Sequence, residues 1–124
     1  MKLAPLAPAW PDEAAILGRM SIDKRFTGDL TATSQGEMLS AGTAVKGSAG
    51  YVAIEKVTGA LHGREGTFTL QHSATMNRGA PSLSITVVPD SGTGALAGIA
   101  GTMQIIIEHK QHSYIFDYSL DGAP

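Results

Sequence analysis

An acid and an imidazole, Glu55 and His72, are the two residues of this sequence best placed to do chemistry together. They lie on two consecutive runs of strand-forming residues, which a two-residue turn at 62–63 would pair as a hairpin. That register sets Ala53 opposite His72, so Glu55 and His72 share one face of adjacent strands, one diagonal step apart. In an apolar interior, such a pair could act as general base and general acid.

Two other interpretations of this pair stay open. It could be a buried ion pair or hydrogen-bonded network that serves strand register rather than chemistry. A register shifted by one residue would instead leave Glu55 in solvent and bury Val52 and Ile54. If the pair is internal, burial is expected to raise the pKa of Glu55, whereas a nearby imidazolium would lower it.

Three further polar residues, Tyr51, Tyr118 and Ser34, are candidate ligand-binding residues. A tyrosine hydroxyl can donate a hydrogen bond to a ligand carbonyl or oxyanion, although an inward tyrosine more often fills core volume. Ser34 belongs to an alternating run of small residues that would leave room for a ligand. Lys24 has the parity of an inward residue, so it would pair with Glu55 or form an imine, or, near a strand end, extend into water.

No metal or organic cofactor is implied by the remaining polar residues. His109 and His112 flank a predicted turn at 110–111, but two imidazoles beside Glu108 fall short of the three or four ligands of a zinc site. The Gly-Thr-Gly at 92–94 lacks the helix and lysine of a phosphate-binding loop. No acid–His–Ser arrangement supports a serine nucleophile.

The elements that must position these residues are strands. Eight strand-like runs, separated by Gly, Pro, Asn, Asp and Ser, cover roughly residues 2–7, 18–27, 30–40, 50–59, 65–76, 82–89, 95–108 and 112–120. Their short connections favour antiparallel pairing, and eight strands can close into a barrel without exposed edges. We therefore predict one all-β domain over residues 1–124, a small closed eight-stranded antiparallel barrel, with a sandwich as the main alternative.

The period of two along each strand predicts which residues fill the interior. A two-residue turn at 110–111 would set Ile107 opposite Tyr114 and so fix the faces of the last hairpin. The apolar residues expected inside are Phe68, Leu70, Leu83, Ile85, Val87, Met103, Ile105, Ile107, Tyr114, Phe116 and Leu120. The polar residues expected among them are Tyr51, Glu55, His72 and Tyr118.

The composition argues against several classes of function. The net charge of −2, with no cationic block, argues against nucleic acid or an anionic membrane as the main partner. The chain has no cysteine, which excludes disulfides and thiolate catalysis. Pro5, Pro8 and Pro11 interrupt any apolar signal segment, so a cytoplasmic location is expected. Outward apolar residues such as Val52 and Ile54 predict a homo-oligomer.

Two family resemblances bear on the fold. The segment 91–103, Ser-Gly-Thr-Gly-Ala-Leu-Ala-Gly-Ile-Ala-Gly-Thr-Met, resembles a glycine-rich signature of plant allene oxide cyclases and dirigent proteins, which are eight-stranded barrels. Nearly the whole chain is similar to a bacterial family of small barrels without an assigned function, in phrases such as Gly50-Tyr-Val-Ala-Ile-Glu. The functional Glu on the first strand of allene oxide cyclases has no counterpart in residues 1–8, so no catalytic residue transfers.

These observations together predict that a lipophilic small molecule binds inside the barrel. The first hypothesis is an isomerase or cyclase in which Glu55 and His72 move a proton while Tyr51 or Tyr118 orients an oxygen. The second is a binding or carrier protein without chemistry. The third is a filled barrel that acts through its outer surface as an interaction module.

Overall fold

The protein is built from β-strands, as the sequence predicts. The computed structural model describes residues 2–5, 17–108 and 111–120. Within them lie β1 (Lys2–Pro5), β2 (Leu17–Phe26), β3 (Leu30–Gly42), β4 (Ala49–Leu61), β5 (Arg64–Asn77), β6 (Ala80–Val87), β7 (Ala100–Glu108) and β8 (Gln111–Ser119). A 3₁₀ turn, Gly94–Leu96, precedes β7. The strands form one antiparallel sheet in chain order, so each strand pairs with its neighbours in sequence.

The prediction of a closed barrel is wrong. Among the described residues the backbone pairing runs from β1 through β8, and no pairing joins β8 back to β1. The first strand has four residues, ends at Pro5, and pairs with positions 20–23 of β2. Closure requires the two edge strands to pair along their length. The architecture is therefore an open antiparallel sheet, and the barrel expected from the allene oxide cyclase resemblance is not supported.

The open sheet is nevertheless strongly curled. The ring of Tyr114 on β8 packs edge-on against Phe26 on β2, with 5.5 Å between the ring centroids. The Tyr114 hydroxyl donates to the backbone carbonyl oxygen of Thr27 at 3.1 Å. The inner faces of the second and last strands are thus in contact through side chains, and the sheet encloses an interior without an unbroken ring of backbone hydrogen bonds.

The β4–β5 hairpin that carries the candidate site has the predicted register. His62 and Gly63 form the turn, both with positive φ (49° and 79°), which is the twist that a two-residue hairpin turn requires. Leu61 lies opposite Arg64, and Ala53 lies opposite His72. The alternative register, with Glu55 in solvent, is therefore excluded.

The last hairpin differs from the prediction by two residues. Glu108 pairs with Gln111, and Ile105 rather than Ile107 lies opposite Tyr114. Because the difference is even, every side chain keeps its predicted face. The seventh strand also begins later than predicted, at Ala100 rather than near residue 95.

The inner face carries the predicted core. Its buried hydrophobic cluster is Phe26, Leu30, Ala32, Val57, Leu61, Phe68, Leu70, Ile85, Val87, Leu96, Ile99 and Met103, with Ile105, Tyr114, Phe116, Tyr118 and Leu120 packed against it. Leu83 is an exception, because 45% of it is exposed. The side chain of Ile107, also predicted inside, lies outside the described side chains.

Candidate functional site

The acid and the imidazole are in direct contact inside the curled sheet. The Nε2 atom of His72 on β5 lies 2.6 Å from the Oε1 atom of Glu55 on β4. Glu55 has no exposed surface, and His72 is 5% exposed. The contact follows from the hairpin register, since Glu55 pairs with Leu70 and therefore stands diagonally from His72.

Two more strands contribute to the same cluster. Ser34 on β3, itself buried, donates its hydroxyl hydrogen to Glu55 Oε2 at 2.6 Å. Lys24 on β2 donates from Nζ to Glu55 Oε1 at 3.1 Å. Four consecutive strands, β2 to β5, thus supply one residue each to a polar cluster of Lys24, Ser34, Glu55 and His72. Of the alternatives for Lys24, the pairing with Glu55 is the one observed.

The cluster holds Glu55 in its ionised form. Burial raises the pKa of its carboxyl group, but the hydrogen bonds from His72 and Ser34 and the charges of Lys24 and His72 outweigh burial and lower the pKa to about 2. Among the described residues, every buried side-chain nitrogen and oxygen has a hydrogen-bond partner. Glu55 is therefore a permanently charged and fully bonded acceptor at neutral pH.

A cavity of about 690 Å³ lies against this cluster. Its apolar wall includes Ile22, Phe26, Met38, Ala53, Leu83 and Ile105, and its polar wall includes Lys24, Arg25, Thr27, Tyr51, His72, Ser113 and Tyr114. The volume is in the range of small-molecule sites. Glu55 is not part of the wall, because it stands behind His72 and Lys24.

Tyr51 lines the same cavity, as a ligand-binding residue would. Burial, and then the negative charge of Glu55, raise the pKa of its hydroxyl. The phenol therefore keeps its proton and can donate a hydrogen bond to an oxygen in the cavity. Its place on β4, four residues before Glu55, puts both side chains on the inner face.

Tyr118 lies elsewhere. It lines a second cavity of about 630 Å³, together with residues of the β2–β3 and β4–β5 turns. There its ring lies 5.3 Å from that of Phe116 and 6.2 Å from that of His62. Tyr118 thus lines a different cavity from His72, and its role as a ligand-binding residue stays a prediction.

Tyr114 lies between the two cavities and lines both of them. Its hydroxyl reaches the carbonyl oxygens of Thr27 and Leu30, at 3.1 and 3.4 Å. Burial is the main reason that the pKa of this hydroxyl is raised. Sequence reasoning placed Tyr114 inside but gave it no function, because a pattern of alternating residues does not show which inward side chain crosses the gap between two strands.

The described residues contain no group of three or more His, Cys, Asp or Glu side chains that could hold a metal ion. His109 lies outside the described residues, and so does the side chain of His112. The same part of the chain includes no helix long and apolar enough to cross a lipid bilayer.

The fold and the site together define a class of protein: an open, curled antiparallel sheet with a charged cluster beside a partly open cavity. The sequence profile described as "Protein of unknown function (DUF3224)" matches residues 2–118, so the chain belongs to the DUF3224 family. This confirms the resemblance to a bacterial family without an assigned function.

One solved structure is similar over nearly the whole chain. It is a protein of unknown function from the DUF3224 family of Shewanella oneidensis MR-1, whose crystal structure was determined at 1.84 Å resolution. The two chains are 54% identical with a TM-score of 0.92, and the match covers 98% of this chain and 92% of that one. No curated protein matches this chain.

Proposed function

We propose that the protein binds a small lipophilic molecule in the cavity beside His72 and moves a proton on it, as an isomerase or cyclase does. The observation that carries the proposal is the 2.6 Å contact between Glu55 and His72 at the wall of a largely apolar cavity. A buried carboxylate that holds an imidazole against an open volume is an arrangement suited to acid–base chemistry.

The two residues have different roles in this proposal. With a pKa of about 2, Glu55 is too weak a base to take a proton from carbon. It instead orients the ring of His72 and stabilises the imidazolium that forms when the ring accepts a proton. His72 is the proton carrier, since it lines the cavity and Glu55 does not.

The nitrogen that exchanges the proton is Nδ1 of His72. Nε2 is engaged by Glu55, and among the described residues Nδ1 has no hydrogen bond. Every buried side-chain nitrogen in that part of the chain has a hydrogen-bond partner. Because Nδ1 has none, it is not buried, and a ligand can reach it. With the Nε2 proton donated to the carboxylate, Nδ1 keeps its lone pair for a proton of the ligand.

Binding without chemistry is the second candidate. It is favoured by the complete satisfaction of the polar cluster, because a network in which each buried group has a partner can serve the fold alone. The cavity itself argues against a filled interior, in which the protein would act only through its outer surface.

The proton-transfer role can be tested before the natural substrate is known. The probe is 5-nitrobenzisoxazole, a small apolar heterocycle that opens when a base removes the proton on its ring carbon and the N–O bond breaks, giving a coloured cyanophenolate. We expect the protein to accelerate this opening, His72→Gln to abolish the acceleration, and Glu55→Gln to reduce it by about tenfold or more, since the ring loses its orienting charge.

His62→Gln is the matched control, because His62 is an exposed histidine in the β4–β5 turn and does not line this cavity. It should keep the wild-type rate. A rate that is equal in the wild-type protein and His72→Gln, or no acceleration at all, would overturn the proton-transfer role and leave binding as the function.

A further inference from the structure

We propose that the molecule bound in this cavity is an amphipathic monocarboxylate, with its carboxylate at Lys24 and its apolar part against the apolar side chains of the wall. This inference rests on the proposed function, because it names the class of molecule that the same cavity takes. It comes from the charges on the cavity wall. Among the described residues, the wall includes the two cationic side chains Lys24 and Arg25 and no Asp or Glu.

The ion pair between Lys24 and Glu55 is oriented with its positive end toward the cavity. The Lys24 side chain is 15% exposed and is part of the wall, whereas Glu55 is fully buried behind it. Among the described residues Lys24 donates one hydrogen bond, to Glu55 at 3.1 Å, and an ammonium group has three donors. The remaining donors are available to a ligand oxygen, and no described carboxylate on the wall competes for them.

A neutral donor and a second cation can complete the recognition of a carboxylate. The Tyr51 hydroxyl keeps its proton in this environment and lines the same cavity. Arg25, at the exposed margin of the cavity, adds a second positive charge. His72 also belongs to the polar wall, so a bound carboxylate would hold the ligand next to the proton carrier.

The rest of the wall fits a hydrocarbon chain rather than a second polar group. Ile22, Phe26, Met38 and Ile105 are the side chains available to it, and the half-exposed Leu83 stands at the margin. An uncharged lipid would leave the Lys24 donors without an acceptor, and a cation would meet two like charges. A monocarboxylate with one apolar chain satisfies both parts of the wall.

Isothermal titration calorimetry with three ten-carbon probes tests this inference. Decanoate, decan-1-ol and decylammonium share one chain and differ in the charge of the head group. We expect decanoate to bind at least about tenfold more tightly than decan-1-ol, since its hydrogen bonds are charge-assisted, and decylammonium to bind most weakly. In Lys24→Met the preference for decanoate over decan-1-ol should fall below about threefold.

Lys56→Met is the matched control, because Lys56 lies on β4 but on the exposed outer face. It should keep the full preference. Arg25→Met, at an exposed position, gives a second variant that does not disturb the buried cluster, and it should reduce the preference in part. Circular dichroism confirms that each variant is folded.

The outcomes separate the two proposals. Equal binding of decanoate and decan-1-ol would overturn the carboxylate inference and leave lipophilic binding intact. A preference that survives in Lys24→Met would overturn the role of Lys24. Failure of all three probes to bind would overturn the proposed function together with the inference.

Discussion

At the scale of single residues, Glu55 is the centre of the buried polar cluster. It accepts hydrogen bonds from a hydroxyl and an imidazole, and it pairs with an ammonium group in a position without solvent contact. Removing a carboxylate from water is costly unless its charge is compensated in this way. The ionisation of Glu55 is therefore tied to the native fold, and its loss should be measurable.

We predict that the protein is destabilised by acid, because the native fold depends on the ionised form of Glu55. The pKa of Glu55 is about 2 in the native protein and 4.5 ordinarily. A lowered native pKa contributes stability that is fully present above 4.5 and is lost as the pH falls toward 2. The contribution is on the order of 3 kcal/mol, because each pKa unit corresponds to about 1.4 kcal/mol. Urea unfolding between pH 5 and 2 measures it.

The variant Glu55→Gln provides the comparison, since it cannot titrate. It should be less stable than the wild type at pH 5 but lose less free energy of unfolding as the pH falls. Glu65→Gln, at an exposed position of β5, should follow the wild-type curve. Parallel curves for the wild type and Glu55→Gln would show that Glu55 has no such shift.

The partners of Glu55 show how far single residues could be predicted. Its contact with His72 followed from strand pairing and the period of two. Lys24 had the right parity, but its place near a strand end left open whether it would pair with Glu55 or reach water, and the sequence does not show which partner a long side chain takes. Tyr118 also lies on the predicted inner face, yet it lines another cavity. The alternation of residues gives the face of the sheet on which a side chain lies, and it does not give the distance between two side chains on that face.

At the scale of strands, the close approach of β3 to β4 positions the cluster. Gly36 lies directly opposite Glu55. A Cβ atom at position 36 would stand 2.0 Å from the backbone oxygen of Ile54 and 2.6 Å from the Cα of Glu55. The strands can lie this close, and the sheet can bend here, because residue 36 has no side chain.

We predict that Gly36→Ala destabilises the protein by roughly 1–3 kcal/mol or more, since the backbone must shift to admit the methyl group. It should also weaken the contact between Glu55 and His72. Gly50→Ala is the control, because a Cβ there would meet its nearest atom at 3.4 Å, an ordinary contact. Chemical denaturation of both variants checks the prediction, and equal stabilities would contradict it.

Strand registers could be predicted to the extent that the turns carry sequence signals. The His-Gly turn at 62–63 has a glycine where positive φ is needed, and the predicted register was correct. The turn between β7 and β8 lies in a stretch without glycine, and the prediction was wrong by two residues. The predicted face of each side chain was still correct, because the alternation of hydrophobic residues determines which face a residue lies on more strongly than it determines the residue opposite.

At the scale of the whole molecule, the main difference from prediction is that the sheet stays open. The count of eight strands suggested a closed barrel, but a barrel closes only if the first and last strands pair with each other. The first strand spans four residues against ten in β2, so part of the β2 edge has no described strand beside it. Hydrophobic patterning reports the number and faces of strands, and it does not report whether the first and last are long enough to pair.

The expectation of a homo-oligomer stays a prediction. The outer face of β3 and β4 exposes Leu39, Val52 and Ile54, each by about half, and Leu39 pairs directly with Val52. We predict that a second copy covers this patch. Sedimentation should then show a dimer or larger species that Val52→Lys dissociates, whereas Thr58→Lys, outward on the same strand, should not. A monomeric wild type would contradict the prediction.

The distribution of one polar cluster over four consecutive strands has a consequence for folding. A strand that shifts by one residue turns its charged group to the outside, and a shift by two moves it roughly 7 Å along the sheet. A shift between β2 and β3 or between β3 and β4 separates Lys24 from Glu55 and leaves a buried charge without its counter-ion, at a cost of several kcal/mol. A shift between β4 and β5 breaks the contact of Glu55 with His72 instead. Misaligned compact states are thus disfavoured at each of the three junctions from β2 to β5, and the correct alignment is the one in which Glu55 keeps all of its partners.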